Sequence, residues 1–375
     1  MINKKAAYPS TSFPLTHIER MTDSIGILEH CIFSTPDRIE GYTTDDNARA
    51  LQVVLRLQKL QSKEYIKKYS SIYLQFLLSA RSPHGFHQDL NADLTWKDDV
   101  GIEEGFGRAM AALGEAAIIA SAPDQKLTAV FVFDQQALLI KKVRQNRPMA
   151  QVITALSHRI KFEAAAPDLI SLLLTRKKLK GDMPAVGLPI DLQAELVRLA
   201  DELAASYRKH SSQSWKWYEN VLSYDNGRLP LGMLYAYKAT ANKKYLSIAL
   251  ESLDFLLEQT YDSVKDCFSF SGYRGWYLKD KKKALFGQQP IEAGSTVEVC
   301  TLAYEVTQNK KYLDFAVKAL EWYNGRNILG INMVNTATGG IKDGLEEWGI
   351  NPNEGAESIL GFALACLALK KAISL

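Results

Sequence analysis

The sequence predicts an all-α fold: a toroid of six inner and six outer helices. Three observations predict it. A weak repeat runs along the 375 residues, pairing a helix with one wet face and a helix rich in small apolar residues. Six such pairs can be counted. Strand signals are confined to short connector stretches, FSFSGY at 268–273 and the residues near 331–334.

The half-wet helices are expected over 17–32, 62–80, 127–143, 190–208, 243–259 and 310–323. KKYLSIALESLDFLLEQ and KKYLDFAVKALEWYN show the pattern, with apolar residues three and four apart between charges. The buried helices are expected over 45–60, 103–120, 147–160, 227–240, 293–307 and 355–370. GRAMAALGEAAIIA and GAESILGFALACLAL are apolar nearly all round, and their Ala and Gly content allows close approach. Alternation of wet and buried helices suggests one ring inside another. The stretch 163–189 breaks the rhythm with DLISLLLTRKKLK followed by Gly181, Pro184, Gly187 and Pro189; it reads as an insertion or long connector. No low-complexity linker divides the chain, so a single domain over 1–375 is expected.

Composition narrows the function classes. A hydrophobic content of 47% supports a large core, and a net charge of +3 with interspersed signs lacks the basic stripe of a nucleic-acid binder. The segment MINKKAAYPSTSFP has no apolar stretch behind its lysines and does not read as a signal peptide. No apolar run is long enough to span a bilayer, and a cytoplasmic location is the expectation. Cys31, Cys267, Cys300 and Cys366 are scattered and read as reduced thiols. The six histidines form no metal-binding spacing, and no Walker loop, GxSxG elbow or dinucleotide fingerprint is present. Neither a metal nor a cofactor is expected.

The starts of the buried helices carry the chemistry. The first reads Thr43-Thr44-Asp45-Asp46-Asn47-Ala48-Arg49, after Tyr42. The second reads Asp98-Asp99, then Glu103-Glu104 and Arg108, after Trp96. The third has Asn146-Arg147-Pro148, and the fourth Tyr224-Asp225-Asn226-Gly227-Arg228. The fifth has Gln288-Gln289-Pro290-Ile291-Glu292. The sixth has Asn351-Pro352-Asn353-Glu354-Gly355-Ala356-Glu357, after Asp343 and Trp348. Helix capping and i,i+4 ion pairing account for any one of these motifs. As a set they do not fit capping, because several carboxylates, arginines and a glutamine would crowd a buried ring. A polar cavity accounts for them better. Two carboxylates flanking a sugar can hydrolyse a glycosidic bond, and crowding can raise one carboxyl while its neighbour stays ionised. Aromatic faces at Tyr42, Trp96, Trp276 and Trp348 could stack on sugar rings or simply pack the rim.

GYTTDDNARAL, EEGFGRAMAALG, YDNGRLPLGML, QQPIEA and GGIKDGLEEWGINPNEGAES together resemble a family of bacterial (α/α)6-toroid proteins. Members occur alone or fused behind glycosyltransferase domains, and are often labelled as such. The resemblance runs from about Pro14 to Leu369. It implies carbohydrate work, with glycosyltransferases or other glycan enzymes as partners. This chain departs from the pattern at Glu104 and Gly287, where Asp is expected, and at Asn146-Arg147-Pro148-Met149, in place of Ser-Pro-Arg-Ala. No nucleotide-sugar fold pattern is present, so glycosyltransferase activity is not carried over.

The first expectation is therefore a glycoside hydrolase on short oligosaccharides, with β-linked mannosides suggested by the enzymes such proteins accompany, and with inversion at the anomeric carbon. Asp46, Glu104, Asp343 and Glu357 are the candidate acid and base, with Asp343, in a mobile connector over the mouth, expected to meet the leaving group as acid and Glu104 and Glu357, deeper, expected where a base holds water. Asp45, Glu103 and Glu354 follow, or cap helices. Substrate contacts are expected from Tyr42, Asp45, Arg49, Trp96, Asp99, Glu103, Arg108, Tyr224, Asp225, Arg228, Gln289, Glu292, Trp348 and Asn351. A phosphorylase, with Arg49, Arg108 and Arg228 holding phosphate, and a non-catalytic glycan-binding module are the alternatives. An epimerase fits less well, for want of paired histidines at the buried helix starts.

Overall fold

The computed structural model describes residues 13–97, 100–169 and 190–374. Six helices form the inner ring: α2 (Thr44–Arg56), α4 (Glu104–Ile119), α6 (Asn146–Ala165), α8 (Arg228–Thr240), α10 (Pro290–Thr307) and α12 (Ala356–Ile373). Each packs on the next, and α12 closes on α2. Outside them lie α1 (Thr16–Met21), α3 (Lys63–Ala80), α5 (Pro123–Gln136), α7 (Leu192–His210), α9 (Lys243–Thr260) and α11 (Lys310–Glu321). This is an (α/α)6 toroid, as the alternation of wet and buried helices predicts.

Small residues set the tightness of the inner ring. A Cβ on Gly114 of α4 would lie 2.7 Å from the Ala155 carbonyl oxygen of α6. One on Gly294 of α10 would lie 2.9 Å from the Gly361 carbonyl oxygen of α12. The main core fills the space between the two rings, with Trp217, Trp322, Tyr73 and Phe106 fully buried. All four cysteines are buried and free. Among the described residues no helix is long and apolar enough to cross a membrane.

The two rings differ in how their helices begin. Ser62, Asp191, Asn242 and Asn309 cap outer helices through their side chains. Of the inner helices only α2 has such a cap, from Thr43; the residues before α4, α6, α8, α10 and α12 supply none. The acids of the inner first turns are thus not N-caps. They face the axis, where six positive helix ends converge and favour negative charge.

Two expected helices differ in extent. The one expected over 17–32 stops at Met21. Asp23 turns the chain by accepting from the Ile25 and Gly26 amides, and a Cβ at Gly26 would meet Asn47 Oδ1 at 2.4 Å. The one expected over 127–143 begins earlier, at Pro123, and ends in a 3-10 segment, Ala137–Lys142. Of the two strand stretches, Cys267–Phe268 pairs with Tyr261–Asp262, and the second makes only isolated bridges. Residues 163–165 complete α6; the part of the expected insertion from 170 to 189 lies outside the described residues.

Candidate functional site

Direct side-chain bonds join all six inner-helix starts at one mouth. Arg49, on α2, is 2% exposed. Its Nη1 donates to Asp45 at 2.9 Å and Asp46 at 2.6 Å; its Nη2 donates to Glu357 of α12 at 2.9 Å and to the Tyr224 hydroxyl at 3.0 Å. Arg108, on α4, donates through Nη2 to Glu104 at 2.6 Å, to Asp225 at 2.8 Å and to the Tyr224 hydroxyl at 3.1 Å. Tyr224 in turn donates to Glu357 at 2.6 Å. Arg147, on α6, donates to the Tyr224 carbonyl. Arg228 of α8 donates to Asp225 at 3.0 Å. Glu292 of α10 accepts from the backbone of Asp225 and from Asn226 Nδ2 at 2.9 Å.

The loop before α8 shows how the chain delivers these groups. Asp225 takes a left-handed backbone, φ 45°, which Asp tolerates better than most residues. Asn226 ties the loop to Ser223 in both directions, and Glu292 clamps its amides. Tyr224 is thereby thrust toward the axis between the two arginines.

Electrostatics divide the acids. Burial would raise Asp45, but Arg49, Arg108 and Gln88 outweigh it and bring its carboxyl below the usual range. Burial, and then the Asp45 charge, push Asp46 up. Asp225 falls to about 2, because Arg228 and Arg108 outweigh burial. Glu292 rises to about 8 through burial and then the Asp225 charge. Glu357 is raised, by burial foremost, although Arg49 and Tyr224 oppose the shift. Neighbouring carboxyls whose environments push them apart are the arrangement acid–base chemistry needs. The side chains of Glu357 and Glu104 remain 29% and 30% exposed, so a ligand can reach both.

Other expected residues make different contacts. Asp343 lies, as expected, in the connector after α11, but its carboxylate is tied down. Its Oδ1 accepts from the Gly355 amide at 2.8 Å and Ser358 Oγ at 2.6 Å, and so holds the first turn of α12. Glu354 is fully buried and bound by Asn335, Thr338 and Lys342. Tyr42 is buried and spends its hydroxyl on Asp23 at 2.7 Å. Trp96 stacks on His87, with ring centroids 4.8 Å apart, and packs on the core. Trp348 is 70% exposed, at the tip of the hairpin Gly344–Glu346 and Gly349–Asn351, with Arg274 4.9 Å from its ring. Asn351 accepts locally from the Asn353 amide at 3.2 Å. Glu103 is exposed at the start of α4, and Gln289, half-buried, precedes α10 without capping it. Asp99 lies outside the described residues.

Three residues at or beside the mouth escaped the sequence reading. Gln88 donates to Asp45 at 2.7 Å. Glu346 is 3% exposed and accepts from Arg274 at 3.1 Å. His30 pairs with Glu29 at 3.2 Å, and the Glu29 carbonyl accepts from the Ala356 amide, which seats this segment on the start of α12. Glu29, despite opposing burial, and then Asp343 and Asp46 raise His30 to about 9. Only the acidic repeat at the inner starts was visible in sequence; these partners come from connectors without a repeat.

No protein-family profile and no curated protein matches the chain. Solved structures do. Cellobiose 2-epimerase from Bacillus thermoamylovorans superposes with a TM-score of 0.70 at 12% identity, covering 97% of this chain and 96% of that one. A GH76 alpha-mannanase from Bacteroides thetaiotaomicron gives 0.59 at 13% identity, covering 95% and 92%. An inactive variant of an alpha-1,6-mannanase from Salegentibacter, in complex with alpha-1,6-mannotetrose, gives 0.58 at 12% identity, covering 96% of each chain. These neighbours are sugar-processing enzymes built on (α/α)6 toroids. At such identities the likeness is one of fold.

Proposed function

We propose that this protein is a glycoside hydrolase acting on short oligosaccharides, manno-configured ones first among them, with Glu357 as general acid and Glu104 as general base. The observation that carries this reading is the pairing of two half-open carboxylates on different walls, each held by its own buried arginine and linked through Tyr224. Contacts of 2.6, 3.1 and 2.6 Å lead from Glu357 through Tyr224 and Arg108 to Glu104. They cap the separation of the two acids at roughly 8 Å, an upper limit that falls within the span of an inverting pair. Burial raises the Glu357 carboxyl, which suits the group that is to give the leaving oxygen its proton. Glu104, ion-paired to Arg108, accepts the proton of the water that attacks the anomeric carbon from the opposite face. Asp46 shares Arg49 with Glu357 and positions it; Asp343 positions it from the helix start.

The arginines favour hydrolysis over phosphorolysis. Arg49, Arg108 and Arg228 each already meet two or more carboxylates. A phosphate would have to displace those partners. A second reading, a sugar epimerase or isomerase, is favoured by His30, a histidine beside the acids. One experiment tests both: incubation with β-1,4- and α-1,6-linked manno-oligosaccharides and cello-oligosaccharides in ¹⁸O-water, with and without phosphate, read by mass and by NMR of the reducing end. Hydrolysis places one ¹⁸O in the product with no need of phosphate. An unchanged mass with a new reducing-end configuration supports the epimerase, and a sugar phosphate supports the phosphorylase.

A further inference from the structure

The third wall, where the chain departs most from the family it resembles, carries a cavity that the acid cluster does not fill. Its volume is about 540 Å³, and it opens beside Glu104 and Tyr224. That size falls within the roughly 300–1,000 Å³ of small-molecule sites. Its outer lining comes from Gln145 and Asn146 at the start of α6, Ser206 on α7, and Glu219 in the connector before α8. In the ring this wall stands opposite α12, which carries Glu357.

The cavity wall is preorganised. Arg147 meets Glu219 at 3.1 and 3.2 Å and Ser223 Oγ at 2.9 Å, while Asn146 Nδ2 donates to Glu219 at 3.0 Å. The charged groups around it are two of each sign, Glu104 and Glu219 against Arg144 and Arg147. A balanced set does not select an anion or a cation. Amide, hydroxyl, carboxylate and guanidinium residues make up most of the lining, with Pro148 apolar among them. Closely spaced donors and acceptors on a fixed frame suit an uncharged polyol.

We propose that this cavity is a saccharide subsite: it seats the sugar ring on the Glu104 side of the bond held at the acid cluster, and so makes this protein favour chains longer than a disaccharide. The inference rests on the carbohydrate-active reading above but not on turnover. Its test is calorimetric titration of mannobiose and mannotetraose, in β-1,4- and α-1,6-linked series, into the parent protein and Ser206→Phe, which fills the cavity from α7. Gln145→Ala and Asn146→Ala serve as milder variants should the Phe variant not fold. The parent is expected to bind the tetraose about tenfold more tightly than the biose of the series it prefers. Ser206→Phe should abolish that advantage and leave biose affinity within about twofold, and each milder variant should reduce it. An advantage that survives in the variants, or no binding of either series, overturns the subsite. Loss of the advantage without any bond cleaved upholds the subsite and sinks the hydrolase; cleavage with equal affinity for both lengths does the reverse.

Discussion

Two arginine–carboxylate clusters lie along the axis of the ring, and they have been built to different ends. At the mouth, Arg49 and Arg108 gather Asp45, Asp46, Glu104, Asp225 and Glu357. Toward the far end, Arg56 in the last turn of α2 donates to Glu115 at 2.7 Å and to Glu298 at 2.8 Å, and Glu298 also meets Arg228 at 2.7 Å. In the far cluster the arginines outweigh burial at both acids, and Glu115 and Glu298 are lowered together. At the mouth the acids divide, Asp45 and Asp225 downward and Asp46, Glu292 and Glu357 upward. Similar residues therefore give a settled ion cluster in one place and a proton-holding one in the other. The difference lies in the ratio of acids to arginines: five carboxylates share Arg49 and Arg108 at the mouth, whereas Glu115 and Glu298 share Arg56, with Arg228 as a second partner of Glu298.

Breaking the far cluster should cost the most stability. Arg56→Met leaves buried Glu115 with Gln52 alone and takes from Glu298 one of its two arginines, and is expected to lower stability by roughly 2–3 kcal/mol, below the roughly 3–5 kcal/mol of a fully stranded buried charge because Glu298 keeps Arg228 and Arg56 is itself partly exposed. Chemical denaturation measures it; a loss below about 0.5 kcal/mol would show that water reaches the cluster freely.

The pH dependence sharpens the contrast. Asp225 folds with a value near 2 against an ordinary 3.8, so its contribution, roughly 2 kcal/mol, is full above about pH 4 and disappears as pH falls through 2. Glu292 works in the opposite sense. Raised to about 8, it keeps its proton in the folded state, and stability falls as pH climbs from its ordinary 4.5 toward 8. Denaturation curves from pH 2.5 to 9 should show both arms. Asp225→Asn should weaken the acid arm and Glu292→Gln the alkaline one. The far cluster, with both acids lowered, adds only to the acid arm.

Arg108→Ala should cost roughly 1 kcal/mol or more, less than Arg56→Met, since the fully buried Asp225 keeps Arg228 and the 30%-exposed Glu104 can take water. Trp348→Ala should change stability by no more than about 0.5 kcal/mol, because the side chain is 70% exposed. A larger loss in a melting experiment would mean that Arg274 and its buried partner Glu346 depend on the indole.

The ring was legible in sequence because inner and outer helices differ in kind: GRAMAALGEAAIIA carries no wet face, and KKYLDFAVKALEWYN does. The mouth was legible because its acids recur at each inner start. Roles within the mouth were not, since they depend on which guanidinium a carboxylate meets. Asp45 and Asp46 are adjacent in sequence, yet Arg49, Arg108 and Gln88 hold one down while burial and its neighbour push the other up. That the Asp343 carboxylate is held was not visible, because its partners, Gly355 and Ser358, stand 12 and 15 residues away. The third-wall cavity depends on Glu219, 72 residues from Arg147, and carried no local signal. The false extension of the first helix to residue 32 arose because the turn at Asp23 and Gly26 is imposed by Asn47, a tertiary contact.

Turnover by two amide variants, Glu357→Gln at the mouth and Glu298→Gln in the far cluster, tests the division most directly. Each is assayed on the oligosaccharide the parent cleaves, with sugar affinity and melting temperature measured on the same samples. Glu357→Gln should lose about three orders of magnitude in kcat or more while sugar affinity and melting temperature hold. Glu298→Gln should lower the melting temperature and leave kcat within a few-fold. Equal kcat losses in both variants, or full activity in Glu357→Gln, would contradict the assignment of catalysis to the mouth.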